Sequence, residues 1–124
     1  MKPKPRMTLA ERRSHKRRET GKANRYGWTT LAALPTIQHH GDSVRDTLSD
    51  YLHIMEHEGA RQRLSFAEII GEHNCPVCVS TLAMLFRRTT GLEMRRGHND
   101  FTARDLAAAR VRFDAFWAWR EAGR

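Results

Sequence analysis

The sequence contains no lysine after residue 22, although thirteen arginines lie there. It has no apolar run of about 18 residues, the length that a membrane-spanning helix needs. No apolar segment follows the N-terminal charges, so we expect neither a membrane protein nor a secreted one. Two cysteines are too few for a disulfide scaffold. Together these absences predict a cytoplasmic protein.

Positive charge is concentrated in residues 1–25, here called the basic arm. The arm has ten basic side chains and two glutamates, a net charge of +8, whereas residues 26–124 have twelve arginines and twelve carboxylates. The basic side chains are Lys2, Lys4, Arg6, Arg12, Arg13, Lys16, Arg17, Arg18, Lys22 and Arg25. A dense cationic segment attached to a neutral body is typical of a protein that binds a polyanion, and nucleic acid, DNA or RNA, is the first candidate.

The arm is predicted to be extended, or to become helical only on binding. Pro3 and Pro5 disfavour a helix at its start. Thr8 and Glu11 have the spacing of a capping box for a helix that reaches Glu19. That helix would have almost no apolar face, so it would be marginal in isolation and would order on a partner.

Residues 26–124 are predicted to form an all-α domain, a small bundle of four or five helices. Helices are expected over Thr29–Leu34, between Gly41 and Gly59, between Ser65 and Gly71, between Pro76 and Gly91, and from Thr102 to about Glu121. The clearest apolar stripe with helical spacing consists of Val44, Leu48, Tyr51, Leu52 and Met55. No segment alternates between apolar and polar residues as an exposed strand would.

The last of these helices is predicted to be capped and strongly aromatic. Thr102 and Asp105 form a capping pair at its start. Leu106, Phe113, Phe116 and Trp117 are expected to face inward. Trp119 points away from Phe113, and it fits either the rim of the core or a homodimer interface.

Residues 64–88 resemble the helix-turn-helix unit of DNA-binding regulators. A short helix, a turn at Asn74 and a second helix that ends in arginines make up the pattern. The resemblance implies that Ser80 and Thr81 face base edges or phosphates, and that Arg87 and Arg88 lie near phosphates. An ordinary helical hairpin within a bundle accounts for the same pattern.

Cys75 and Cys78 have the C-x-x-C spacing that is found in zinc sites and in thiol redox motifs. His73 is the nearest further zinc ligand, and His53 and His57, four residues apart, are others. Helical periodicity places both cysteines on the same face as the apolar residues that follow them. The simplest interpretation is therefore two small, buried side chains.

No phosphate-binding glycine loop, nucleophile motif or acid–base carboxylate pair is present, so we do not expect an enzyme. The favoured function is that of an accessory or regulatory protein whose basic arm binds the nucleic-acid backbone. The alternative is a structural subunit of a larger viral or ribonucleoprotein assembly. A zinc- or thiol-dependent redox protein acting through Cys75 and Cys78 ranks third. Zinc is the one cofactor that the sequence suggests, and a homodimer or a larger assembly would be the protein partner.

Overall fold

A computed structural model describes residues 25–58, 74–93 and 101–123. Within these ranges the chain forms four α-helices and no strand, as the predicted all-α class requires. The basic arm apart from Arg25, the predicted helix between Ser65 and Gly71, and His73 lie outside the described residues. The chain divides into two units at the junction of Ala33 and Leu34. None of the described helices combines the length and the apolar character needed to cross a membrane.

The first unit contains one short helix, α1, which spans Trp28–Ala32. It starts after Gly27, whose φ of 67° is in the left-handed region that glycine adopts readily. The carbonyl of Gly27 accepts the first helical hydrogen bond, from Leu31 N at 3.0 Å. Trp28 and Leu31 are buried, and the ring of Tyr26 stacks on Trp28 with centroids 5.6 Å apart. The helix is shorter than predicted and begins one residue earlier.

The second unit begins with α2, which spans Pro35–Glu58 and is kinked at His40. The sequence prediction placed a helix start near Gly41, and a regular helical segment does begin there after the kink, but the helical residues between Pro35 and the kink were not predicted. The chain enters the helix at Pro35, where the missing proline N–H costs nothing because a first-turn N–H has no helical acceptor. His40 then leaves the helical region, with φ of −129° and ψ of 20°. The kink therefore falls where the sequence suggested a boundary.

The predicted apolar stripe of α2 is confirmed. All of its members are 2% exposed or less: Val44, Leu48, Tyr51, Leu52 and Met55. Ile37, before the kink, is also completely buried. Full burial of one such side chain contributes about 1.5–3 kcal/mol, so this face holds α2 against the rest of the unit.

The next helix, α3, spans Val79–Thr90. It starts three residues later than the predicted first turn at Pro76. Asn74, the predicted turn residue, has a left-handed φ of 51°. Cys78 is then extended, with ψ of 154°, and becomes the N-cap. The helix ends at Gly91, whose φ is 77° and whose N–H donates to Arg87 O at 2.8 Å.

The last helix, α4, spans Ala103–Ala122. Its predicted cap is confirmed as a reciprocal capping box, since Asp105 N donates to Thr102 Oγ1 at 3.1 Å and Thr102 N donates to Asp105 Oδ2 at 3.0 Å. The predicted inward residues Leu106, Phe113, Phe116 and Trp117 are buried. Trp119 is half-buried, with its ring 6.2 Å from that of Phe116.

Helices α2, α3 and α4 pack against one another in all three pairings. Phe86 of α3 meets Tyr51 of α2 edge to face, with ring centroids 5.1 Å apart. The hydroxyls of the buried threonines at the end of α3 donate hydrogen bonds to carbonyls one turn earlier in the helix. Thr89 Oγ1, for example, donates to Leu85 O at 2.7 Å. The buried hydroxyl of Thr89 therefore has a hydrogen-bond partner within the apolar core.

Two arginines of α4 bind backbone carbonyls where other helical segments end. Arg120 Nη2 donates to Ile37 O, just before the kink of α2, at 3.2 Å. Arg112 Nη2 donates to Arg88 O, near the end of α3, at 3.3 Å. The C-terminal end of a helix carries partial negative charge, so a guanidinium there is favourable. In both places a glycine, Gly41 or Gly91, leaves the space that the guanidinium fills.

Candidate functional site

The most distinctive polar site among the described residues is at the N-terminus of α3. Cys78 occupies the N-cap position and is exposed. The prediction that it faces inward with the apolar residues of the helix was wrong. Because α3 begins only at Val79, helical periodicity does not extend back to Cys78, and the thiol lies in solvent.

Two hydroxyl groups lie within hydrogen-bond distance of the Cys78 sulfur. Thr81 Oγ1 lies 3.0 Å from Sγ and Ser80 Oγ lies 3.4 Å from it. These hydrogen bonds, first that of Ser80 and then that of Thr81, lower the pKa of Cys78 to about 7. Hydrogen bonds to the charged form favour that form. The Cys78 thiol therefore ionises more readily at neutral pH than an ordinary cysteine does.

Cys75 lies in a different environment. It is half-buried, and Ser43 Oγ of α2 donates to its sulfur at 3.5 Å. Cys75 is therefore less buried than predicted. Both cysteines are free thiols. The C-x-x-C segment thus presents one exposed and one sheltered thiol, with the sheltered one tied to α2.

The side chains predicted to bind nucleic acid divide into three groups. Those of the basic arm lie outside the described residues, except Arg25, which is exposed. Arg87 and Arg88 are exposed in the last turn of α3, as predicted. Ser80 is exposed and Thr81 half-buried, but both hydroxyls lie beside Cys78. Ser80 and Thr81 therefore belong to the thiol site at the N-terminal end of α3, whereas the two arginines lie at its C-terminal end.

The zinc prediction stays a prediction, because His73 is outside the described part of the chain. Within residues 25–58, 74–93 and 101–123, no group of three His, Cys, Asp or Glu side chains is arranged to hold a metal ion. His53 and His57 lie together on the exposed face of α2, with ring centroids 4.3 Å apart. They form a pair of their own on that helix.

Comparisons with family models, with curated proteins and with solved structures find no match to this chain.

Sequence reasoning missed the hydroxyl environment of Cys78. The signal was present in the order Cys78-Val79-Ser80-Thr81. Once a cysteine is taken as the N-cap, the residues two and three positions later are in the first helical turn, where side chains and amides turn toward the cap. The environment was not predicted because Pro76 indicated a helix start three residues before the true one at Val79.

Proposed function

We propose that the protein binds nucleic acid through its basic arm. The observation that carries this proposal is the partition of charge, +8 within residues 1–25 and zero within residues 26–124. Lysine and arginine side chains bind phosphates and release condensed counterions, which gives strong binding with little sequence preference. The arm binds the phosphate backbone, and the helical domain presents it.

The internal contacts of the body support this division of roles. Arg110, Arg112 and Arg120 of α4 all bind groups of α2 or α3. Arg45 lies between two carboxylates of its own helix, 3.8 Å from Asp42 and 3.2 Å from Asp46. Arginines engaged in this way add little to a cationic surface. The basic arm is then the main source of uncompensated positive charge.

A smaller contribution is assigned to the exposed end of α3. Arg87 and Arg88 are adjacent in its last turn and reach solvent. They also interact favourably with the partial negative charge at that helix end. We include them as additional phosphate contacts. The helix-turn-helix stays a prediction, since its first helix falls outside the described residues.

Binding is tested by fluorescence anisotropy with a labelled 20-nucleotide RNA and a labelled 20-base-pair DNA over a range of salt concentrations. The full-length protein is compared with a variant in which all ten basic residues of the arm are changed to Gln. Each phosphate contact contributes about −0.9 to the slope of log affinity against log salt on duplex DNA. We expect the variant to lose most of that slope and at least about 100-fold in affinity at low salt.

The matched control changes Arg87 and Arg88 to Gln. It is expected to reduce the slope by about two and to leave most of the affinity intact. Equal binding by the wild-type protein and the neutralised arm would refute the proposal. Copurification with and without nuclease then tests the assembly alternative, in which a protein partner stays bound after nuclease treatment.

A further inference from the structure

The two cysteines differ in the properties that thiol–disulfide exchange requires of its two thiols. The attacking thiol must be accessible and must ionise near neutral pH. Cys78 is exposed at the N-cap of the twelve-residue helix α3, with two hydroxyls beside its sulfur. Positive partial charge at a helix N-terminus favours an anion there. Cys78 therefore meets the requirements for the attacking group.

Cys75 has the properties of the second, resolving thiol. It is less accessible than Cys78 and is held beside α2 by Ser43. The chain bends at Pro76 and Val77, between the two cysteines. A disulfide requires Cα atoms within about 7 Å of each other, and a bend over two intervening residues favours such an approach.

We propose that Cys75 and Cys78 form a thiol–disulfide exchange site whose substrate is a low-molecular-weight disulfide. The site is independent of the nucleic-acid proposal, since it uses no residue of the basic arm. It also assigns a role to Ser80 and Thr81, whose hydroxyls stabilise the attacking thiolate.

The reaction balances in two steps. The Cys78 thiolate attacks one sulfur of the substrate disulfide, the substrate S–S bond breaks, and one substrate thiolate leaves. The Cys75 thiol then loses its proton and attacks Cys78 Sγ, which forms the internal disulfide and releases the second substrate thiolate. The protein gives up two electrons and two protons, and the substrate becomes two thiols.

The expected preference for Cys78 is moderate in size. A pKa of about 7 in place of the ordinary 9.0 raises the thiolate fraction at pH 7. That increase is about fiftyfold, but the intrinsic nucleophilicity of a thiolate falls with its pKa, here by about tenfold. The net advantage in the rate of attack is therefore about fivefold.

The test uses the full-length protein, reduced and then mixed with glutathione disulfide, with products identified by mass spectrometry after alkylation. We expect the wild type to form the Cys75–Cys78 disulfide. Cys75→Ser should stop at a mixed disulfide between Cys78 and glutathione. Cys78→Ser should react more slowly than Cys75→Ser, because only the sheltered thiol remains. Circular dichroism of each variant controls for the helical fold.

A second measurement separates this role from a structural one. In the Cys75→Ser background, the alkylation rate should rise with pH around a midpoint near 7, and Thr81→Val should move that midpoint upward while the helix content stays unchanged. The proposal is overturned if both single-cysteine variants react at the same rate. It is also overturned if the wild type accumulates mixed disulfide without closing the internal one.

Discussion

The guanidinium group of Arg120 occupies the place that a side chain at Gly41 would take. A Cβ built on Gly41 overlaps the terminal nitrogen and carbon of this group. Arg120 is only 9% exposed, and it is fixed by Ile37 O at 3.2 Å and by Asp42 Oδ1 at 3.6 Å. Its Cζ also lies 5.6 Å from the ring centroid of Trp117. Gly41 is thus a packing position within the kinked helix α2.

Gly41→Ala is predicted to destabilise the protein, by about 1 kcal/mol. In an exposed helix the same change stabilises by about 1 kcal/mol because alanine is the better helix former. Here the new methyl displaces Arg120 from its contacts, and a lost hydrogen bond to a charged group costs about 1.5–3 kcal/mol. Urea unfolding at pH 7 measures the difference.

The Arg120→Ala background provides the control for that prediction. Without the guanidinium, the space beside residue 41 is open, so Gly41→Ala should now stabilise by up to about 1 kcal/mol. The same sign of effect in both backgrounds would contradict the packing role assigned to Gly41.

Arg110→Met is predicted to cost about 2 kcal/mol of unfolding free energy. Arg110 Nε binds Glu56 Oε1 at 2.8 Å, and its two terminal nitrogens bind the hydroxyl and the carbonyl of Ser49 at 3.1 and 3.3 Å. Methionine preserves much of the side-chain stem but none of these bonds, and bonds to charged groups contribute about 1.5–3 kcal/mol.

Arg104→Met, on the exposed surface of the same helix, is the matched control and should change stability by less than about 0.5 kcal/mol. Thermal or urea unfolding of both variants makes the comparison. Equal effects at the two positions would show that the contacts of Arg110 do not stabilise the packing of α4 on α2.

Stability is predicted to fall at alkaline pH because of Tyr51. Burial raises the pKa of Tyr51 from 10.0 to about 12. The folded state therefore favours the neutral phenol, and its contribution is complete below pH 10. Above pH 10 the unfolded chain ionises first, so the contribution is lost as the pH rises toward 12. The loss amounts to at most about 3 kcal/mol.

Urea unfolding between pH 9 and 12 checks this dependence, with Tyr51→Phe as the control. Phenylalanine retains the ring that meets Phe86 but has no ionisable hydroxyl. The variant should lose less stability than the wild type over that interval. Parallel curves for the two proteins would exclude Tyr51 as the cause.

Helices could be predicted from the sequence where buried apolar residues recur with helical spacing. The stripe of α2 from Val44 to Met55 and the inward face of α4 both follow from it, because a helix buried on one side must repeat its apolar residues every three or four positions. The capping box at Thr102 and Asp105 was equally local and was equally predictable.

The starts of α2 and α3 were not predictable in this way. Gly41 suggested a helix boundary, and the kink at His40 falls there, but the chain is already helical from Pro35. Pro76 suggested a first turn, yet α3 starts at Val79. The sequence carries no apolar period over the turn from Pro35 to the kink, and the N-cap of α3 is the extended Cys78 rather than the residue before Pro76.

The candidate site depended on that second boundary. With a helix from Pro76, Cys78 would lie on the inner face, and the thiols would be small core side chains. With a helix from Val79, the same residue is an exposed cap between two hydroxyls. A shift of three residues in a helix start therefore changes the predicted chemistry of the cysteine pair.

The two ends of helix α3 differ in what compensates their partial charges. At the C-terminal end the group comes from another helix, since Arg112 of α4 donates to Arg88 O. At the N-terminal end, the exchange site that we propose places the Cys78 thiolate, whose charge is lost when the sulfur enters a disulfide. Oxidation at that site would change the local charge at the N-terminal end of α3 and leave the contact at the C-terminal end as it is.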